Sequence, residues 1–145
     1  MTMADVGAVF HDPDFVFQDS ERGNKLFIML AAVDDICTVA RTTSKSSGKS
    51  RSYGCHNDDR FPNFFIPREA MIFREDTWVC LDYLVDFKRV EFEQKSAQGN
   101  IRKIKVLSLG LLLDLLKCAI DSDDVTGEQE RVLRMSLEKI KTQKS

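Results

Sequence analysis

Residues 23–45 read GNKLFIMLAAVDDICTVARTTSK, and how this stretch folds decides what the rest of the chain can be. The run KLFIMLAAV is apolar without alternation, the pattern of a strand covered on both faces. Asp34 and Asp35 interrupt it, and acidic pairs of this kind turn the chain. ICTVART follows, rich in β-branched residues that suit a pleated surface. Gly23-Asn24, just upstream, supplies the permissive backbone of another tight turn. The stretch therefore predicts an antiparallel hairpin with one strand fully buried.

Working outward, DFVFQD is a short strand candidate with aromatics at Phe15 and Phe17, and SERGN is the turn that follows it. NFFIP (Asn63 to Pro67) predicts another strand, and a further one is expected around Trp78 to Leu81. KRVEFEQK alternates Val90 and Phe92 with charges, as a half-exposed strand does. SAQGN closes this β-rich part. Beyond it, Ser108 can cap a helix through LGLLLDLLKCAI that is apolar nearly all round. Thr126 followed by Gln129 is a capping-box start for a second helix, which buries Val132, Leu133, Leu137 and Ile140. The expected architecture is one α+β domain, with β structure over about 8–95 and a helical part over about 105–143.

Composition agrees with a single core. The chain has 145 residues, 43% hydrophobic and 30% charged, with a net charge of -2. That balance argues against a uniformly basic nucleic-acid binder but leaves room for a local basic patch. MTMADVGAVFHDPDF lacks the basic start and apolar run of a secretory signal. VLSLGLLLDLL is too short for a membrane span and carries Asp114, so it reads as a packed helix. Cys37, Cys55, Cys80 and Cys118 are widely spaced and are expected to be reduced thiols in a cytoplasm. Cys37, Cys80 and Cys118 suit a core, and Cys55 an exposed site.

The segment ARTTSKSSGKSRSYGCHNDDR, Ala40 to Arg60, holds most of the reactive residue types. Gly48-Lys49-Ser50 is no phosphate-binding P-loop, because Thr43 occupies the position of the required first glycine. Cys55 and His56 are adjacent, and neither spacing nor a second pair completes a zinc site. Charge is more informative. Arg41, Lys45, Lys49, Arg51 and Arg60, offset by Asp58 and Asp59, leave +3 on a chain that is negative overall. Tyr53 can stack a base, and the hydroxyls add phosphate donors. The plain alternative is a solvated, mobile connection.

The order of these elements, together with GNKLFIML and VARTTSK, resembles the MazF/PemK-like toxins of type II toxin-antitoxin systems. The resemblance implies a small SH3-like β-barrel followed by helices. It also implies a metal-independent endoribonuclease acting on single-stranded RNA, silenced by an antitoxin and usually a homodimer, with no cofactor and no membrane association. On the family motifs, the threonine that ends the second strand falls on Thr43, followed by Ser44. The arginine that opens the first falls on Lys25, with Leu26 where proline usually follows. Arg22, three residues earlier, offers a guanidinium instead.

Such cleavage proceeds by attack of the RNA 2′-hydroxyl on the adjacent phosphate, and needs a cation, a proton carrier and an aligned strand. The residues expected in those roles are Lys25 or Arg22, Thr43, and His56 as proton carrier. Ser44, Lys45, Arg51 and Tyr53 are expected to grip RNA. Trp78 is expected to fill the core. The competing reading is a non-catalytic SH3-like module that binds a protein or nucleic acid. A cysteine-dependent enzyme built on Cys55 ranks third.

Overall fold

The computed structural model describes residues 5–12, 25–46 and 48–144. Arg22 and the expected strand and turn over 13–24 lie outside them. The elements are β1 (Ala8–Asp12), β2 (Lys25–Val33), β3 (Ile36–Thr43), β4 (Gly54–His56), β5 (Asn63–Ile66), β6 (Thr77–Cys80), β7 (Val85–Lys88), α1 (Arg89–Ala97), β8 (Arg102–Val106), α2 (Leu109–Ile120) and α3 (Gly127–Lys144). A 3₁₀ turn covers Arg68–Ala70. The protein is α+β, with an eight-stranded sheet in the order β4-β5-β6-β3-β2-β1-β8 and β7 paired beside β3. Each of these pairings is antiparallel. Among the described residues no ladder joins β4 to β8, so the sheet is not closed into a barrel.

The predicted hairpin is the centre of the sheet. β2 is buried from Phe27 to Val33, and Val33 pairs with Ile36 across a two-residue turn. Asp34 sits there at φ 53°, a left-handed conformation that aspartate tolerates better than most residues. The register slips by one between Met29 and Ala31, which makes Leu30 a bulged residue. Its carbonyl is not orphaned, because buried Ser136 of α3 donates to it at 2.8 Å.

The outer edge of β3 is divided. Its first half pairs with β7, Ile36↔Lys88 through Val39↔Val85, and its last two residues pair with β6, Thr42↔Val79 and Thr43↔Trp78. The sheet therefore splits along β3, and the end carrying Thr43 departs with β6.

KRVEFEQK is a correction: residues Arg89–Ala97 form helix α1, not a strand. The alternation misleads because Val90 is 59% exposed and only Phe92 is buried. Glu91, Glu93, Gln94 and Lys95 are good helix formers. One ring anchors the helix: Phe92 meets Phe10 edge-on at 5.0 Å and lies 6.3 Å from Phe27 and 6.2 Å from Phe87. Lys95 adds an ion pair to buried Asp12 at 3.1 Å.

β8 is a second departure, since a strand returns to pair with β1 after the first helix. Its Arg102, Lys103 and Lys105 and exposed Ile104 and Val106 show no one-sided pattern, as befits a sheet edge.

The two C-terminal helices follow the sequence signals. Ser108 Oγ accepts the Leu111 N–H. Thr126 and Gln129 exchange backbone-to-side-chain bonds at 3.1 Å each way. Val132, Leu133, Leu137 and Ile140 are all buried. α3 packs on β2, and α2 packs on α3, β4 and β5. Gly7, at φ 89°, lies under α2, and a Cβ there would stand 2.7 Å from Leu112 Cδ2. Among the described residues no helix is long and apolar enough to cross a membrane.

The cysteines are the third correction. Cys55 and Cys118 form a disulfide with Cα atoms 5.5 Å apart, while Cys37 and Cys80 are buried free thiols. Spacing could not reveal this pairing, because only tertiary folding brings together two cysteines separated by 63 positions.

Candidate nucleic-acid interface

A half-open groove of about 380 Å³ lies where β3 leaves the hairpin. Thr42, Thr43, Ser44 and Lys45 form one side, with Leu26 and Thr77 beside them. Phe73, Arg74 and Glu75, and Ile104 and Lys105 of β8, complete its lining. At this end β3 pairs with β6 through Thr42↔Val79 and Thr43↔Trp78. Side chains bridge what the ladder does not. Lys105 donates to the Ile72 carbonyl, and its ammonium lies 5.5 Å from the Phe73 ring centroid.

Local bonds set the groove-side hydroxyls. Buried Thr42 donates to the Leu26 carbonyl at 2.9 Å. Thr43 Oγ1 accepts the Lys45 N–H at 3.1 Å, which turns the chain at Ser44. Three cations, Lys45, Arg74 and Lys105, line the groove against one carboxylate, Glu75. Arg74 and Glu75 carried no sequence signal, since they lie in a link without periodicity.

The expected site residues divide into groups. Thr43, Ser44 and Lys45 stand together in the groove. Lys25 begins β2 beside them. Its backbone pairs with Asp12 of β1. His56 is not brought to the groove. Thr43 pairs with Trp78, Trp78 with Phe65, and Phe65 with Gly54, so β4 is the third strand over from Thr43, about 14 Å across the sheet at ~4.8 Å per strand, and His56 lies two residues beyond Gly54 along it. Its Nε2–H donates to the Ser52 carbonyl at 2.6 Å, closing its own turn. His11 is nearer, facing Leu26 across the β1–β2 ladder.

Arg51 and Tyr53 are both engaged within the fold. Arg51 pairs with Asp76 at 2.8 Å and lies 5.4 Å from the Trp78 ring. Tyr53 meets Phe64 edge-on at 5.4 Å and donates to Asp114 at 3.3 Å. Burial first, and then the Asp114 carboxylate, pushes its phenol above the ordinary value.

The segment from Ser50 to Asn63 is tied to the fold rather than loose. Trp78 Nε1–H donates to the Ser50 carbonyl at 2.8 Å. Asp59 accepts from Ser50 N–H and Ser50 Oγ–H, both at 2.8 Å, and from the Asn63 amide at 3.0 Å. Asn57 donates to the Cys118 carbonyl at 3.0 Å, beside the disulfide.

Burial pushes the Asp59 carboxyl upward. The bonds from Ser50 and Asn63, with the nearby His56 charge, outweigh it and hold the group below its ordinary value. A depressed folded value means that Asp59 stabilises this segment above the unfolded carboxylate range, and that the contribution is lost as pH falls through the folded value. Above pH 5 the Ser50 amide is expected to be strongly protected from exchange. That protection falls on acidification in the wild type, and is already low at pH 7 in Asp59→Ala. An amide equally labile in both proteins at pH 7 contradicts the tether.

A cysteine-dependent site is not formed. Cys55 is in the disulfide, and burial pushes the Cys37 thiol above its ordinary value despite the opposing Arg89 charge. Among the described residues no group of three or more His, Cys, Asp or Glu is placed to hold a metal ion. No family model matches the chain, and neither a curated protein nor a solved structure matches it.

Proposed function

We propose that the chain is a single-stranded RNA endonuclease of the MazF/PemK-like kind, with the groove between Thr43 and Arg74 as its cleavage site. One observation carries the reading: the β3 end bearing Thr43, Ser44 and Lys45 forms a groove with two further cations and a carboxylate. Its volume suits one nucleotide. Lys45 N–H occupies the Thr43 oxygen and leaves the hydroxyl hydrogen to donate to a phosphoryl oxygen. Lys45, Arg74 and Lys105 offset the charge that builds on the phosphate during in-line attack. Glu75 takes the proton-accepting role in place of His56. The 2′-hydroxyl proton passes to Glu75 as its oxygen bonds to phosphorus, the phosphorus–5′-oxygen bond breaks, the 5′-oxygen takes a proton from water and leaves as a hydroxyl, and the other product ends in a 2′,3′-cyclic phosphate.

The SH3-like barrel belongs to this proposal, with the Lys105 bridge to Ile72 in place of a closing ladder. So do the antitoxin partner, the homodimer and a cytoplasmic site of action, where the Cys55–Cys118 bond would stand reduced. The second reading, a non-catalytic binding module, is favoured by the distance of His56 from Thr43.

The test is cleavage of a mixed-sequence single-stranded RNA in EDTA, with product ends identified by mass. The wild type is expected to leave cyclic phosphate ends. Thr43→Ala is expected to cleave about 100-fold more slowly, the usual cost of one donor to a developing oxyanion. Expression of the wild type alone is expected to arrest bacterial growth, and Thr43→Ala to relieve the arrest. Intact RNA with salt-dependent binding selects the binding module instead.

A further inference from the structure

Phe61 is a large apolar residue that the fold leaves 40% exposed, and the site described above makes no use of it. Its position is held firmly. The Phe61 carbonyl accepts the amide of fully buried Asn63 at 2.8 Å, and the next carbonyl, of Pro62, accepts the Leu81 N–H at 2.9 Å. Two cations flank the ring: Lys49 Nζ is 5.8 Å from its centroid and the Arg60 guanidinium 5.2 Å. Lys49 also reaches the other way and donates to the Lys45 carbonyl at 3.5 Å, on the groove lip. Lys45, Lys49, Phe61 and Arg60 thus form an unbroken path leading out of the groove.

We propose that Phe61 is a stacking platform for an unpaired base of single-stranded RNA, one or two nucleotides outside the groove. The inference rests on the RNA reading of the groove and names where the flanking strand goes. Proteins that hold single strands combine a cationic track with rings on which bases stack, and both are present here. Lys49 is long and flexible, so it exchanges its place over the ring for a phosphate as a base arrives. The Arg60 guanidinium is planar and layers against a base as readily as against the ring. From the Lys45 carbonyl to the Phe61 centroid is at most about 9 Å, the length of about two nucleotides at 3.4 Å or more each. Tyr53 is half exposed but is held by Asp114 and Phe64, so it is the less available ring.

The probes are two 2′-methoxy oligouridylates, which bind but lack the attacking hydroxyl, one of three nucleotides and one of nine. Binding is read by fluorescence anisotropy across salt concentrations. Phe61→Ala is expected to weaken the nine-mer about 5- to 150-fold, the range for losing one stacked base, with the three-mer and the salt slope unchanged. Phe61→Leu, which keeps an apolar side chain without a π-face, is expected to show most of the same loss. Lys49→Ala is expected to lower the salt slope for the nine-mer by about one. Thermal melting checks that each variant is folded. A folded Phe61→Ala protein that binds the nine-mer as the wild type does overturns the platform. Equal weakening of both lengths also overturns it. A wild type that binds neither probe overturns the RNA reading itself, and the platform with it.

Discussion

Trp78→Ala is expected to lower the unfolding free energy by about 3–5 kcal/mol, as large aromatic truncations in a packed core do. The residue is fully buried in β6 and stacks obliquely on Phe65 with ring centroids 4.8 Å apart. Beyond the cavity, the variant removes the donor to the Ser50 carbonyl and the ring beneath Arg51. It also strips the β6 partner of Thr43 of its side chain. Stability loss and loosening of residues 50–60 should therefore appear together. Urea denaturation followed by far-UV circular dichroism reads the first, because Trp78 is the only tryptophan and its fluorescence is lost in the variant. Hydrogen exchange at Ser50 and Arg51 reads the second. A loss below about 1 kcal/mol would mean the site collapses around the missing ring, contrary to the close packing described. Trp78→Phe separates the two effects, since it keeps a ring but leaves the Ser50 carbonyl without its donor.

Breaking the Cys55–Cys118 link is expected to cost about 4 kcal/mol, the chain-entropy value for a closure spanning 63 positions. The link ties β4 to α2, and Tyr53–Asp114 and Asn57–Cys118 bonds flank it. Cys55→Ser is the better variant, because Cys55 is exposed whereas Cys118 is buried. The comparison is between oxidised wild type and Cys55→Ser in urea, repeated after reduction with a dithiol. Reduction should bring the wild type to the variant's midpoint and leave the variant where it was. Coincident midpoints before reduction would show that the bond adds nothing to stability. Once reduced, Cys118 lies near the C-terminal end of α2, where the helix dipole disfavours a thiolate. Re-oxidation therefore depends on the exposed Cys55 sulfur.

Both predictions concern tethering of the segment that composition presents as a loose connection. Its serines, glycine and lysines match those of solvated loops, and no periodicity marks it. Asp59 holds it from within, and the Trp78 indole N–H, the Asp76 and Asp114 carboxylates and the disulfide to Cys118 hold it from residues distant in the chain. The same limit applies to the groove. Thr43 and Ser44 were named on the family resemblance, and with Lys45 they line the groove together at the end of β3. Arg74, Glu75 and Lys105 were not legible, because nothing near them in the sequence points to β3. Phe61 carried no signal either, since exposure is a property of the folded surface and not of the residue. His56 was expected on its chemistry alone, and its place on β4 keeps it out of the groove's lining.

What the sequence determined alone is the part governed by short-range chemistry. The apolar run and aspartate pair made the β2–β3 hairpin, Ser108 set the start of α2, and Thr126 with Gln129 set that of α3. These choices depend on neighbours within a few residues, whose preferences act before the chain is compact. Only the tertiary structure decided the division of β3 between β6 and β7, the helical state of 89–97, the disulfide, and the surface on which Phe61 stands. Each of those depends on which distant groups exclude water together, a matter of summed burial and geometry that no local window contains.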